Sequence, residues 1–516
     1  MRKKKTPIEK ILEGREFLVY TALIIIVSTI AGLAFFNFQP LYGDQAVYAQ
    51  MIDELIRDPG SIPTYLGNPA PWKLPLGFYA LAGMTWLFSL SFPKMPVEVL
   101  YRLPGLVFLA WNSLTVFFIA SRLYPKRKEL AMAAGLIFAL TNETLMSVSG
   151  VLLLEGPLLF FMLLSLLMFL QAEKNKKFFY WAGLFFACAV MVKTFVAFLA
   201  PLYAAIYYYA KGKDKLLKSK EFIGCLLLFP AVLFGYGVLY WLLVSPFGDA
   251  AFSSYVYDLV GRVGGKSLAQ TIMDNATQLF RNAFPWILLP VAGAISLAPW
   301  RNKTDKAVSL WLLVTILPLL NSTGYYWYFM PVIPVLSILS ALALRKLDPI
   351  TMVMVFMALL FVSAAAYPMV QSPASPELWE QKETGLFLTN KNSRILSISE
   401  EGLPEVFFYK LHHEKNPDYS GIKQIVPDPY EKEGYTTIAD FTGVVYDKYE
   451  RNCINYPDYP PECVSQIVQE NKQSTEYLVM DREIYEEYSQ SPVEGYEKVF
   501  ESSYGGYYVL QRLEEP

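Results

Sequence analysis

Asp44, Lys73, Glu155, Lys193, Arg262 and Lys266 are the residues of this chain best suited to carry chemistry. They sit at the ends of apolar segments or in the loops between them, where a charge is costly unless it is paired or used. A carboxylate in such a place can take the proton of an attacking hydroxyl. Lysine and arginine can hold a departing phosphate, and stabilising that charge lowers the barrier. The set therefore suits transfer of a group from a phosphate to a hydroxyl. Each residue also has an ordinary reading. Glu155 stands where a helix dipole favours an anion, and Lys193 where a long side chain snorkels. Arg262 and Lys266 share a loop with Gly261, Gly264 and Gly265 and read equally as solvated charges. Tyr325, Tyr326 and Tyr328 have the composition of an interfacial aromatic belt.

The elements that position these residues are apolar helices. The chain has 516 residues, 54% of them hydrophobic, which is too apolar for a soluble protein of this size. The apolar blocks fill Phe17 to about Val370 and then stop. Met1–Glu16 carries a Lys/Arg cluster ahead of Phe17–Phe36, a run long enough to span and lacking a small-residue cleavage site, so an uncleaved first span is expected. Later segments are expected at Tyr101–Ala120, Leu130–Met146, Leu152–Leu170, Phe178–Val192, Thr194–Tyr209 and Phe222–Val244. Ala283–Leu297, Val308–Leu320, Trp327–Leu344 and Ile350–Ala366 complete the series. Leu76–Leu90 is shorter as a helix, at ~1.5 Å per residue, than a ~30 Å hydrocarbon core, and is read as lying in the interface.

With that assignment every basic loop falls on one side: Arg122–Lys128, Lys174–Lys177, Lys211–Lys220, Arg301–Lys306 and Arg345-Lys346. The expected fold is mainly α, a polytopic membrane helical bundle of about eleven spans, with a cytoplasmic N-terminus and an interfacial helix in the first external loop. Residues 1–370 form the membrane domain. Residues 371–516 form an extracytoplasmic α/β domain, with strands at Arg394–Ser399, Glu476–Met480 and Tyr507–Gln511 and helices at Leu403–His412 and Glu483–Glu487. On this topology the charged set gathers at the outer membrane face. Cys188 and Cys225 read as apolar fillers in spans. Cys453 and Cys463 lie where a disulfide is permitted, and pairing stays open.

A net charge of -2, with no basic or Gly-rich phosphate loop, points away from a nucleic-acid partner. A transporter or lipid flippase is the rival class. It predicts internal repeats and charges near mid-membrane, whereas the charges here cluster at the outer edge.

The first external loop reads Asp44-Gln45-Ala46-Val47-Tyr48 and later Trp72-Lys73-Leu74-Pro75-Leu76-Gly77-Phe78-Tyr79. It resembles the corresponding loop of the glycosyltransferase C superfamily, in the branch of lipid A aminoarabinose transferases and protein O-mannosyltransferases. Gln45 stands where that branch has Glu, and Leu74 where it has the first Pro of Lys-Pro-Pro-Leu. Tyr101-Arg102-Leu103-Pro104, Glu155-Gly156-Pro157-Leu158 and Met191-Val192-Lys193-Thr194 resemble further family segments in the same order, and the Gly324–Pro334 run is a weaker match. The resemblance implies catalytic roles for Asp44 and Glu155 and donor-phosphate contacts from Lys73, Lys193, Arg262 and Lys266. Gln45, Tyr48, Tyr325 and Tyr328 would contact substrate. The implied donor is a polyprenyl- or dolichyl-phosphate sugar, and the acceptor a lipid, glycan or protein on the extracytoplasmic side. Such a donor needs no obligatory catalytic metal, although Asp44 with Glu155 has the chemistry to bind one. An oligosaccharyltransferase would carry Trp-Trp-Asp-Tyr-Gly, which this chain lacks.

Overall fold

Among the described residues, the apolar blocks are realised as helices. The computed structural model describes residues 7–36, 38–59, 62–70, 74–141, 144–193, 196–244, 302–319 and 330–344. It also describes six positions within 351–361, then 376–389, 391, 394–398, 404–413, 422–425, 461–490, 492–503 and 505–513. In chain order the membrane part runs α1 (Pro7–Ala34), α2 (Asp44–Arg57), a hairpin of β1 (Thr64–Tyr65) and β2 (Asn68–Pro69), and α3 (Leu76–Ser91). Then come α4 (Val97–Leu123), α5 (Lys128–Leu140), a π-helical turn (Leu145–Gly150), α6 (Glu155–Ala172) and α7 (Phe178–Val190). After these are α8 (Leu199–Lys211), α9 (Lys220–Val244), α10 (Lys303–Leu319) and α11 (Ile333–Leu344). Among the described residues, Glu16–Ala34 of α1, α4 and α6 are long and apolar enough to cross a membrane. The spans expected at 283–297 and over most of 350–366 lie outside the described residues.

The chain divides into two compact units. The first takes its described residues from Met1–Asn37, Leu87–Leu239 and Val260–Ser372. Within it α1 packs on α4 and α5, α4 on α5 and α6, and α6 on α7 and α8. Trp311 of α10 is fully buried, stacks on Tyr203 of α8 at 5.1 Å and donates its indole N–H to the Tyr203 carbonyl at 2.7 Å. The segment expected as one helix over Leu130–Met146 stops at Leu140, and the wider π turn follows it. That turn lies directly on α4 because Gly105 has no side chain; a Cβ there would collide with the Val148 carbonyl oxygen. The helix expected from Thr194 begins instead with a 3-10 turn, Val196–Phe198.

The second unit takes its described residues from Phe38–Trp86, Tyr240–Leu259 and Pro373–Pro516. Its C-terminal part comprises α12 (Pro376–Leu388), β3 (Ile395–Ile398), α13 (Pro404–His412), β4 (Ile422–Ile425) and α14 (Pro461–Asn471). It continues with β5 (Tyr477–Asp481), α15 (Arg482–Gln490), β6 (Tyr496–Glu501) and β7 (Tyr507–Arg512). The sheet order is β4-β3-β5-β7-β6. β3 is parallel to both β4 and β5, with Ile395 opposite Ile422 and Tyr477, so helices must make the crossovers. β7 runs antiparallel to β5 and β6. Leu396, Leu478, Met480 and Leu510 of the sheet close a core with Val464 and Val468 of α14 and Ile484 of α15. This is the expected α/β region, with α12, β4, α14 and β6 added to the elements read from sequence.

Candidate active site

Asp44 is the first residue of α2, and its side chain is exposed. The helix starts there because Gly43 takes φ 51°, a left-handed conformation that side chains disfavour, and its carbonyl accepts the Ala46 N–H at 3.0 Å. An anion at this position is favoured by the helix dipole. Among the described residues no hydrogen bond or ion pair holds the Asp44 carboxylate. The rest of α2 is anchored below it. Gln45 and Tyr48 are 3% and 6% exposed, and the Tyr48 ring meets Phe78 edge-on at 5.4 Å.

The polar face of α2, which the sequence alone would leave wet, is covered on two sides. Glu54, 5% exposed, accepts hydrogen bonds from Gln50 Nε2 at 2.8 Å, the Thr64 hydroxyl and the Gly67 N–H at 3.2 Å. The β1–β2 turn places Leu66 and Gly67 at φ 51° and 75°, the backbone of a tight hairpin turn. Its amides point at a buried carboxylate. Burial pushes the Glu54 carboxyl above its ordinary range, and these hydrogen bonds offset that only in part. On the other side α13 packs on α2. Asp53 lies 3.1 Å from His412 Nδ1 and 2.8 Å from Arg57 Nε, and Arg57 also donates to the carbonyls of Leu411 and His412.

In the first unit, Glu155 and Lys193 form an ion pair of 2.7 Å. Glu155 is the first residue of α6 and is 3% exposed. Lys193 follows α7, its backbone N–H bonded to the Ala189 carbonyl at 3.0 Å. Asn112 of α4 fixes the start of α6 by donating to the Gly156 carbonyl at 3.0 Å. A Cβ at Gly156 would lie 3.1 Å from the Phe108 side chain, so glycine permits that close approach. Arg102 is fully buried on the same helix. Glu155 is thus more than a helix cap, and Lys193 has a defined carboxylate partner beyond any lipid interface.

At the other end of α6 a second charged cluster forms. Glu173 accepts from Arg122 Nη2 at 3.1 Å, from the Tyr207 hydroxyl at 3.0 Å and from Lys213. Burial alone would raise the Glu173 carboxyl; the hydrogen bonds from Lys213 and Tyr207 and the charges of Lys213 and Arg122 outweigh it and hold the group below its ordinary range.

Lys73, Arg262, Lys266, Tyr325 and Tyr328 lie outside the described residues, as does Cys453. Cys188 and Cys225 are free thiols. Among the described residues no group of three or more His, Cys, Asp or Glu side chains is gathered as for a metal. Sequence reasoning missed Glu54, His412 and Tyr409. The partners of His412 and Tyr409 come from distant segments, and those of Glu54 from its own helix and the hairpin that follows.

The fold is shared with solved structures of low sequence identity. The chain is similar to ArnT from Cupriavidus metallidurans in the apo state, with TM-score 0.64 and 14% identity over 97% of this chain and 98% of that one. The same protein bound to undecaprenyl phosphate gives TM-score 0.61 and 13% identity over 96% and 97%. The Archaeoglobus fulgidus oligosaccharyltransferase tethered with an acceptor peptide gives 0.54 and 12% over 95% of this chain and 74% of that one. Residues 83–239, which hold Glu155 and Lys193, match the family model for dolichyl-phosphate-mannose-protein mannosyltransferase. No curated protein matches the chain by sequence.

Proposed function

We propose that this chain is an integral-membrane glycosyltransferase that moves a sugar from a polyprenyl- or dolichyl-phosphate donor to a hydroxyl of an extracytoplasmic acceptor. The observation that carries the reading is the Glu155–Lys193 pair, built at a helix start inside the segment that matches the mannosyltransferase model. Undecaprenyl phosphate, the ligand named for one structure of the same fold, has the chemistry of the lipid part of such a donor.

In this reading Asp44 accepts the proton of the attacking hydroxyl. An exposed carboxylate at a helix start, on a helix buried along most of its length, is accessible and well positioned for that step. Lys193 is oriented by Glu155. Its ammonium carries three donors, and its side chain is 27% exposed, so it serves the donor phosphate together with Lys73, Arg262 and Lys266. Gln45, Tyr48, Tyr325 and Tyr328 are the residues assigned to substrate contact. The N-terminus is cytoplasmic and residues 371–516 are extracytoplasmic.

The test is mass spectrometry of the lipid that co-purifies with the protein, followed by a transfer assay in proteoliposomes with that lipid-linked sugar. The expected result is release of the lipid phosphate with the sugar covalently on the acceptor fraction. Translocation of intact lipid-linked sugar without release of lipid phosphate would instead make the chain a flippase.

A further inference from the structure

Both flanks of Asp44 are held by one helix of the C-terminal part. Just upstream, the Leu41 N–H donates to the Tyr409 hydroxyl at 3.0 Å, a buried bond between residues far apart in sequence. Downstream on α2, Arg57 donates through Nη2 to the carbonyls of Leu411 and His412 at 3.2 and 3.1 Å. These carbonyls belong to the last turn of α13, where a helix leaves its acceptors unsatisfied and its dipole favours a cation. Asp53 completes the contact. It binds Arg57 at 2.8 Å and faces His412 Nδ1 at 3.1 Å, while Phe408 stacks on the His412 ring at 5.5 Å. Tyr409 is fully buried, and Lys382 of α12 sits 5.3 Å over its ring, so the hydroxyl is presented from a fixed side chain. Gly43, next to Asp44, adds no side-chain packing of its own; an added Cβ would meet nothing within 4 Å. The position of Asp44 is therefore set from its two sides.

We infer that α13, through Tyr409 and its Leu411–His412 terminus, is a positioning element that fixes the Asp44-bearing segment for the transfer step. Tyr409, Arg57 and His412 are positioning residues; none of them reacts. The inference rests on the proposed transferase reading and adds a task for the C-terminal part, which is to hold the first external loop in register for proton removal. A misplacement of about 1 Å in such a group costs up to about a hundredfold in rate.

The experiment uses the full-length protein in proteoliposomes with its co-purifying lipid-linked sugar as donor. Tyr409→Phe keeps the ring and removes the hydroxyl that accepts the Leu41 N–H. Arg57→Met removes the guanidinium, and Arg57→Lys keeps the charge. Hydrogen exchange of peptides covering Leu41–Tyr48 should accelerate about fivefold in Tyr409→Phe, the size of one lost hydrogen bond. kcat should fall about tenfold in Tyr409→Phe and Arg57→Met, with donor KM within about twofold, and Arg57→Lys should recover part of the loss. Unchanged exchange and kcat in folded Tyr409→Phe and Arg57→Met would overturn the inference, as would a rise in donor KM at constant kcat. If the wild type transfers no sugar while exchange at Leu41–Tyr48 still accelerates in Tyr409→Phe, the transferase reading fails and the coupling of α13 to this segment stands.

Discussion

Glu155 and Lys193 show how much of the site can be read from residue type and position alone. A carboxylate at the start of an apolar helix and a lysine at the end of the next were both singled out by their cost in an apolar setting. Their 2.7 Å pairing was not legible, because it depends on where α7 ends relative to the start of α6. Truncating Lys193 leaves the Glu155 carboxylate, 3% exposed, without that cation. Lys193→Met should therefore destabilise the folded protein by about 1–3 kcal/mol. Adding Glu155→Gln should restore part of that loss. Thermal unfolding of the two single variants and the double variant, in one detergent, measures the coupling; strict additivity would mean that the pair contributes nothing. Asp44 belongs to the proposed chemistry and not to the packing. Asp44→Asn should fold normally and still bind lipid-linked donor, yet lose transfer by on the order of a hundred- to ten-thousand-fold. Near-normal turnover by folded Asp44→Asn would remove it as the base.

Among the elements, α2 departs most from what its sequence implies. Its pattern is amphipathic, yet residues from Gln45 to Leu55 are buried almost without break. The hairpin and α13 cover its polar face, and polar groups so covered must find partners. Glu54 finds them in Gln50, Thr64 and Gly67. The hairpin turn that brings Thr64 and Gly67 onto Glu54 is not marked in the sequence, so the burial of Glu54 is not legible there. The same limit explains the other omissions: β4 and β6 are short or strongly polar, and β7 between β5 and β6 gives β6 its place. The strands and helices that were legible (β3, β5, β7, α13, α15) carry clear apolar or amphipathic patterns. Glu54→Ala should strand the Gly67 N–H and the Thr64 hydroxyl and cost about 1–3 kcal/mol, whereas Glu54→Gln should cost less. The pH response separates the two acids. Because Glu54 is raised in the folded state, its contribution is fully present below the unfolded carboxyl value and fades as pH rises through the folded value. Glu173 is lowered, so its contribution is present above the unfolded value and lost as pH falls through the folded one. Melting curves across the carboxylate range should show Glu54→Gln abolishing a decline with rising pH and Glu173→Gln abolishing a decline with falling pH.

For the molecule as a whole, the first unit bears on how the chain crosses the membrane. Arg122 lies in the last turn of α4, Glu173 follows α6 and Lys213 follows α8, and all three meet in one cluster. Tyr124 reaches Asp305 at the start of α10 at 3.0 Å, bringing a fourth connection to the same end. Glu155 and Lys193 lie at the opposite end of α6, a helix ~27 Å long at ~1.5 Å per residue, close to the thickness of a hydrocarbon core. Among the described residues, four of the connections that the Lys/Arg distribution assigns to one side therefore meet, and the proposed phosphate-binding pair is at the far end of α6. Charge bias places such a basic end in the cytoplasm. Reporter fusions should accordingly give a cytoplasmic signal after Lys128 and after Lys215 and an external one after Lys94. The Lys94 fusion is decisive because it lies between α3 and α4. An external signal there keeps α3 from crossing and leaves Asp44 and Lys193 on the extracytoplasmic side. A cytoplasmic signal at Lys94, with Lys128 external, would make α3 a true span and put Glu155 and Lys193 in the cytoplasm, where a lipid-linked donor facing outward cannot reach them.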